Sequence, residues 1–572
     1  MTGTVVYRGG IAVHAPASPR ARGALLLWPV LLLALLPVVY LIVSSFNVAD
    51  FGSPYAFGLD NWAAAISAGT GRAILNTLLL STRVFFAFIV AVAISWSLVR
   101  IQIPGRRFVE ISLWFAFFLP PVPIAMAWIL LLHKDYGLVN IALGSIPFMP
   151  RHLFSIHSIP GIMWIYLTIS TAPFLTIVFT PAFRRLDATF EEAARVNGAR
   201  RLQALIRIVL PILLPALLIG LTATFVRSME SFEVEQLVGA PARIYVFTTR
   251  IYDLIHQDPP LFGQAMALGT LFLIVVIVLA AAQMVYARRH PTAVTVRSHS
   301  FRSGISHRRR LRIFASIAII AYVVVSIYLP VAVMIMGSCN KIFGFFQMPH
   351  PWTFAHWQEV LTDDRFLRAL RNSMFFGVGV SVVVLPLYMR LAWILARSQA
   401  AGRRIATLLL WLPWAVPGFI FGLALLDILT RVKVLSPFYG TFAPIVFALV
   451  IKEMPIGVQL LKVAIEQTGK ELEDAARVAG ARGWHVFARI TLPLLSPTAV
   501  AVFIIVFAAV IKEISTIVLV AGPGTQTLSL LMFDYATTGR SESAAVVGVI
   551  FAVASLVLAA IISRHTVEIG AQ

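Results

Sequence analysis

The chain has 572 residues, of which 59% are hydrophobic and only 12% charged, and its mean hydropathy is +0.87. A soluble domain is about half apolar and a quarter charged, so these proportions exclude an ordinary soluble fold and point to a membrane protein. The net charge of +21 lies in short segments between apolar runs and not on a soluble basic stripe, which argues against nucleic acid as a partner, and the single cysteine, Cys339, excludes an intrachain disulfide or a multi-thiolate metal site.

Residues 1–23 read as a basic tail ahead of a first apolar run at 24–46, which is longer than a signal-peptide core and long enough to cross a bilayer. Further runs lie near 74–99, 109–132, 160–183, 208–227 and 264–286. After a basic linker at 288–312 they resume near 313–336, 373–396, 406–429, 442–464, 490–511 and 544–563, and a tail at 564–572 follows. In lipid a backbone satisfies its own hydrogen bonds only in helices or closed barrels, and runs of this length predict an all-α polytopic membrane protein with about twelve spans. Alternate segments that include both termini hold more than twice as many Lys and Arg as the others, so both ends are expected in the cytoplasm. The linker arginines either fix this topology or touch anionic lipid headgroups. Pro120-Pro121-Val122-Pro123 and Pro413-Trp414-Ala415-Val416-Pro417 predict distortions within the third spans, either shaping a path or packing on a neighbour.

The two halves, 24–287 and 313–563, repeat. EEAARVNGARRLQALIRIVLP at 191–211 returns as EDAARVAGARGWHVFARITLP at 473–493, with Gly198 and Gly480, Pro211 and Pro493, and Pro215 and Pro497 each 282 apart. Trp62 and Trp357 correspond at an offset of 295, and Asn76-Thr77 and Asn372-Ser373 at 296, as expected of parallel six-helix units with an insertion. In the first copy, Thr189-Phe190-Glu191-Glu192 predicts a capping box, small Ala193 and Ala194 allow close approach of another surface, and Gly198 permits a positive φ. Ala199 to Val209 then predicts a basic amphipathic segment with Leu202, Leu205, Ile206 and Val209 on one face.

The pattern Glu-Ala-Ala, three residues, Gly, nine residues, Ile-x-Leu-Pro resembles the signature loop of type I ABC importer permeases. Glu192-Ala193-Ala194, Gly198 and Ile208-Val209-Leu210-Pro211 match it, as do Asp474-Ala475-Ala476, Gly480 and Ile490-Thr491-Leu492-Pro493 with Asp for Glu. The resemblance implies the permease fold across both halves as a fused pair, with coupling loops at 187–211 and 469–493 docking on a cytoplasmic ABC ATPase homodimer. The residues it singles out are Glu191, Glu192, Ala193, Ala194 and Gly198, and Glu473, Asp474, Ala475, Ala476 and Gly480. Glu473 beside Asp474 leaves open which acid meets the partner. ATP and Mg are implied on that partner, since this chain has no G-x-x-x-x-G-K-[ST] sequence, and it also lacks H-E-x-x-H, G-x-S-x-G and C-x-x-C.

Charged residues cluster near the fifth spans: Arg227, Glu230, Glu233 and Glu235 in one half, Lys512 and Glu513 in the other. Two readings stay open, a polar pathway or gate that passes a cation, and ion pairs at the outer membrane edge. Lys452-Glu453, Arg83 and Arg390 are read the same way, with the arginines able to snorkel. SMESFEVEQLVGAPARIYVFTTRIYD at 228–253 resembles the ferric-iron branch of fused permeases, which implies delivery of Fe(III) by a periplasmic solute-binding protein; polyamine, sulfate, thiamine and phosphonate branches share the architecture. Segments 47–73, 133–159, 228–263, 337–372 and 512–543 are expected as outer loops facing that protein. A twelve-helix secondary transporter and a membrane enzyme are the rival classes.

Overall fold

The computed structural model describes residues 19–49, 56–67, 69–148, 153–289, 309–397, 403–411, 413, 416–469, 471–481 and 483–569. The expected tail to residue 18, the linker over 290–308 and the last three residues lie outside the described residues. The described chain is helical, without strands. Among the described residues nine helices are long and apolar enough to cross a membrane, and a bent pair makes a tenth. The first expected run is the helix Pro19–Ser44, and the run near 406–429 includes Arg403–Leu410 and Gly418–Arg431.

The bent pair is the third span, Arg106–Phe118 and Pro121–Leu132, which turns through 104°. The cause is local. Proline lacks an N–H and drives the residue before it to extended backbone, and Leu119 and Pro120 have ψ of 134° and 150°. The bend carries Phe117, Leu119 and Pro121 onto the wall of an internal cavity, which favours the path-shaping reading of these prolines.

The repeat does not fold as two separate bodies. Pro19–Ser44 of the first half packs on Gly418–Arg431 of the second, and Leu329–Ser338 of the second packs on Pro121–Leu132 of the first. Phe232 lies 4.9 Å from Phe419 and 5.5 Å from Phe533 between ring centroids, so one aromatic cluster joins both halves.

Residues 228–263 and 512–543, expected as outer loops, are not irregular throughout. Both re-enter the fold through short helices, Phe247–Ile255 and Leu528–Thr537, whose Phe247, Ile251, Leu531 and Met532 are buried. A buried segment must place its backbone polar groups, and the Asn-Thr and Asn-Ser pairs of the repeat do this. Asn76 Nδ2 donates to the Tyr245 carbonyl (2.9 Å), and Thr77 Oγ1 accepts from the Phe247 N–H (3.1 Å). Asn372 Nδ2 donates to the carbonyls of Gly524 and Gln526 (3.0 Å each), and Ser373 Oγ accepts from the Leu528 N–H (2.7 Å). Asn372→Ala should cost about 1–3 kcal/mol, since it removes two hydrogen bonds at about 0.5–1.5 kcal/mol each, and should cost more than Asn76→Ala, which loses one bond. Thermal unfolding of the detergent-solubilised protein checks this ranking, and equal effects would refute it.

Candidate functional site

The two copies of the repeated phrase adopt one shape. Helices Thr189–Val196 and Glu471–Val478 each end at a glycine with φ of 85°, Gly198 and Gly480. The turn closes with Ala199 N–H donating to Ala194 O (3.0 Å) in one copy and Ala481 N–H to Ala476 O (2.9 Å) in the other. A Cβ added at either glycine would meet nothing within 4 Å, so the residue serves the left-handed backbone and not a tight contact. After the turn, Arg201–Ala204 and Gly483–Val486 run into π-helical turns, Leu205–Val209 and Phe487–Thr491, that open the fifth spans.

Two local expectations are corrected. The capping box does not form. Asp187 Oδ1 takes the Thr189 N–H (3.0 Å), the helix begins at Thr189, and the N-cap position falls to Ala188, which has no side-chain acceptor. The amphipathic face also divides: Leu205 and Val209 are buried, but Leu202 and Ile206 are 64% and 53% exposed.

Within each loop the acids separate. Glu191 and Glu473 turn inward to Arg100 and Arg397 of the chain's own second spans, whereas Glu192 and Asp474 are exposed. Ala193 and Ala475 are exposed beside them, Ala194 is buried and Ala476 half-buried. Val196 and Val478, again 282 apart, are 87% and 90% exposed at the loop tips.

A cavity of about 210 Å³ opens where the halves meet, and all five candidate pathway residues, Arg227, Glu230, Glu233, Lys512 and Glu513, line it. Most are held across the halves. Ser515 Oγ donates to Glu233 (2.8 Å), the Gly418 N–H donates to Glu230 Oε2 (3.0 Å), and Lys512 Nζ donates to the Phe117 carbonyl (2.6 Å). Glu230 also lies 3.8 Å from Arg227 Nε. Lys452 Nζ pairs with Glu513 Oε1 (2.8 Å), and Thr516 donates to the same oxygen through N–H (2.9 Å) and Oγ1 (2.6 Å). Glu453 lines the cavity, buried, without a hydrogen bond among the described residues. Glu233 and Ser515 are 282 apart, as are Glu230 and Lys512, so the internal repeat places opposite charges at one equivalent position.

The charges therefore lie inside the fold, most of them on the wall of one cavity. Glu235 stands behind the wall, where its Oε1 lies 3.6 Å from Arg83 Nη1 and its Oε2 accepts from Tyr166 Oη (2.8 Å). Arg83 is 2% exposed and does not snorkel; its Nη2 also donates to Ser228 O and Ser231 Oγ (3.1 Å each), and it stacks over Tyr166. Arg390 does not join the cluster and lies exposed against Trp393. Sequence reasoning missed Tyr166, Ser515 and Thr516, and it counted Arg100 and Arg397 only as topology charges. The available signals were the 282-residue offset and the place of each arginine at the end of a second span.

A family described as the binding-protein-dependent transport system inner membrane component matches residues 83–290 and 388–567, once in each half. The chain belongs to this family. The probable ABC transporter permease protein y4fN of Sinorhizobium fredii is 25% identical over 459 residues, 78% of each chain. The putative ferric transport system permease protein FbpB 1 of Haemophilus influenzae is 22% identical over 402 residues, 68% of this chain and 62% of that one. The molybdenum transport system permease protein ModB of Escherichia coli K12 is 30% identical over 223 residues, 37% of this chain and 97% of that one. The chain is thus a fused two-half permease of the type I ABC importer class and a multi-pass inner-membrane transport component. The secondary-transporter and membrane-enzyme readings are set aside.

Proposed function

We propose that this permease forms the membrane path of an importer in which a separate ABC ATPase homodimer, holding ATP and Mg, docks on loops 187–211 and 469–493 from the cytoplasm. A periplasmic solute-binding protein delivers the solute, and both termini lie on the ATPase side. The observation that carries this reading is the pair of same-shaped loops, which present Val196 and Val478 outward on halves that share a charged cavity. Apolar side chains so exposed are suited to a partner surface. Two equivalent loops suit a symmetric dimer, each subunit moving one half. A cavity walled by both signs of charge suits a hydrophilic solute.

The solute we propose is Fe(III). Glu230, Glu233 and Glu453 in the cavity, the stretch at 228–253 and the ferric permease relative, which spans both halves, support it. A second reading, an oxyanion, is favoured by Arg227, Lys452 and Lys512 in the same wall and by the molybdenum permease relative. Reconstitution of the permease with its ATPase and binding protein in proteoliposomes tests both. ATP-dependent uptake of labelled Fe(III), against molybdate, sulfate and putrescine, is the expected result. ATP-dependent uptake of another solute sinks iron and keeps the machinery, and uptake without the ATPase sinks the machinery.

A further inference from the structure

The second span of the first half, Thr70–Arg100, ends in an arginine that is 3% exposed. Arg100 Nε pairs with Glu191 Oε1 (2.7 Å), and its Nη2 donates to the Leu186 carbonyl (2.7 Å). Leu186 caps the C-terminus of helix Ala172–Arg185, and Glu191 lies in the first turn of the loop helix. One guanidinium therefore ties together the ends of three helices. A cation beside helix C-termini and an acid in a first turn both follow the helix dipoles, and only a planar fork reaches two acceptors at fixed geometry.

The second half repeats this arrangement. Arg397 is the last residue of Asp364–Arg397; its Nη2 donates to the Thr468 carbonyl (2.6 Å), and its Nε lies 3.4 Å from Glu473 Oε1. Thr468 caps Phe442–Gln467, and 468 − 186 and 473 − 191 are both 282. The ion pairs are largely buried in both halves, with side-chain exposures of 4% and 15%, and 9% and 7%. The arrangement recurs in both halves of the repeat, the acceptors 282 apart and the arginines 297 apart, which argues against chance surface pairing.

We infer that Arg100–Glu191 and Arg397–Glu473 are positioning pairs that gear each loop to the second span of its half, leaving Glu192 and Asp474 as the acids that face the partner. The inference rests on the reading that an ATPase docks on these loops. In the first half the span carries Arg100 at its loop end and Arg83 within it, 17 residues away, about 26 Å at 1.5 Å per residue. Arg100 holds the loop, and Arg83 lines the cavity and contacts Tyr166 and Glu235. A displacement of the loop helix therefore has a direct packed route to the cavity wall. The second half has the loop end of this device, so the device is symmetric at the loops and one-sided at the cavity.

The test compares Glu191→Gln/Glu473→Gln with Glu192→Ala/Asp474→Ala in the full chain, purified with its ATPase. The readouts are the ATPase retained through purification and ATP-driven uptake in proteoliposomes. The Gln pair should retain the ATPase and lose uptake about tenfold, within the 5–150-fold range typical of a lost coupling. The Ala pair should lose the ATPase. Arg100→Ala/Arg397→Ala should cost less uptake when added to the Gln pair than when made alone, because each arginine and its acid act as one unit. Full uptake by the Gln pair, or loss of its ATPase, overturns the assignment. Failure of the unsubstituted permease to retain the ATPase overturns the docking reading itself.

Discussion

Lys452→Ala is expected to destabilise the detergent-solubilised permease by about 3–5 kcal/mol, the usual cost of removing one member of a buried ion pair. Lys452 and Glu513 have side-chain exposures of 8% and 10%. Glu513 keeps the two bonds from Thr516 when the ammonium is gone, but those neutral donors do not balance a charge in a low-dielectric wall. The loss is thus mainly the penalty on the carboxylate left behind. It follows that Lys452→Met/Glu513→Gln, which removes the charge as well, should recover most of the stability. Thermal unfolding of the single and double variants decides it. If the double variant is as unstable as the single, the attraction between the two groups outweighs the cost of stranding the carboxylate. Uptake should fall in both, because both change the cavity wall.

Gly198→Val/Gly480→Val has the second large expected effect, and it is on transport instead of folding. Both positions hold φ of 85°, a conformation costing an L-residue about 1–2 kcal/mol and one that a β-branched side chain rarely adopts. A new Cβ would meet nothing within 4 Å, so the fold itself has room. The strain is relieved by moving the loop helix away from its turn. At about 1.4 kcal/mol per factor of ten, two strained sites should lower the population of the intact loop pair at least about tenfold. The protein should insert and elute from size exclusion as before, with uptake reduced accordingly. Asn tolerates the left-handed region, so Gly198→Asn/Gly480→Asn should retain most uptake. Equal losses for the Val and Asn pairs would show that the glycines matter for contact with the partner and not for φ.

The parts legible in the sequence are those encoded within one helix length or by exact repetition. Long apolar runs announce spans because a backbone in lipid has few alternatives to the helix. Gly198 and Gly480 announce left-handed turns because few other residues adopt them. The prolines at 120, 121 and 123 announce a break, although not its angle of 104°. The same local logic failed where a neighbour competed. Asp187 took the Thr189 N–H that Glu192 was expected to hold, and Leu202 and Ile206 face outward although Leu205 and Val209 are buried. Segments 228–263 and 512–543 contain too many polar residues to read as buried, and only the bonds from Asn76, Thr77, Asn372 and Ser373 explain how their backbones enter the core.

By itself, the sequence determined that this is a helical membrane chain made of two related halves, each with a charged, glycine-bent phrase at one offset of 282 residues. Which acid of each phrase faces inward was decided by the tertiary structure, since Glu191 and Glu192 differ only in the direction their helix turns them relative to Arg100. The cavity was decided there too. Lys452 and Glu513 are 61 residues apart, Glu233 and Ser515 are 282 apart, and Lys512 and Phe117 are 395 apart. Composition states that such charges exist, but the packing of helices from both halves determines which of them meet, because burial forces each one to find a partner wherever the fold brings one within reach.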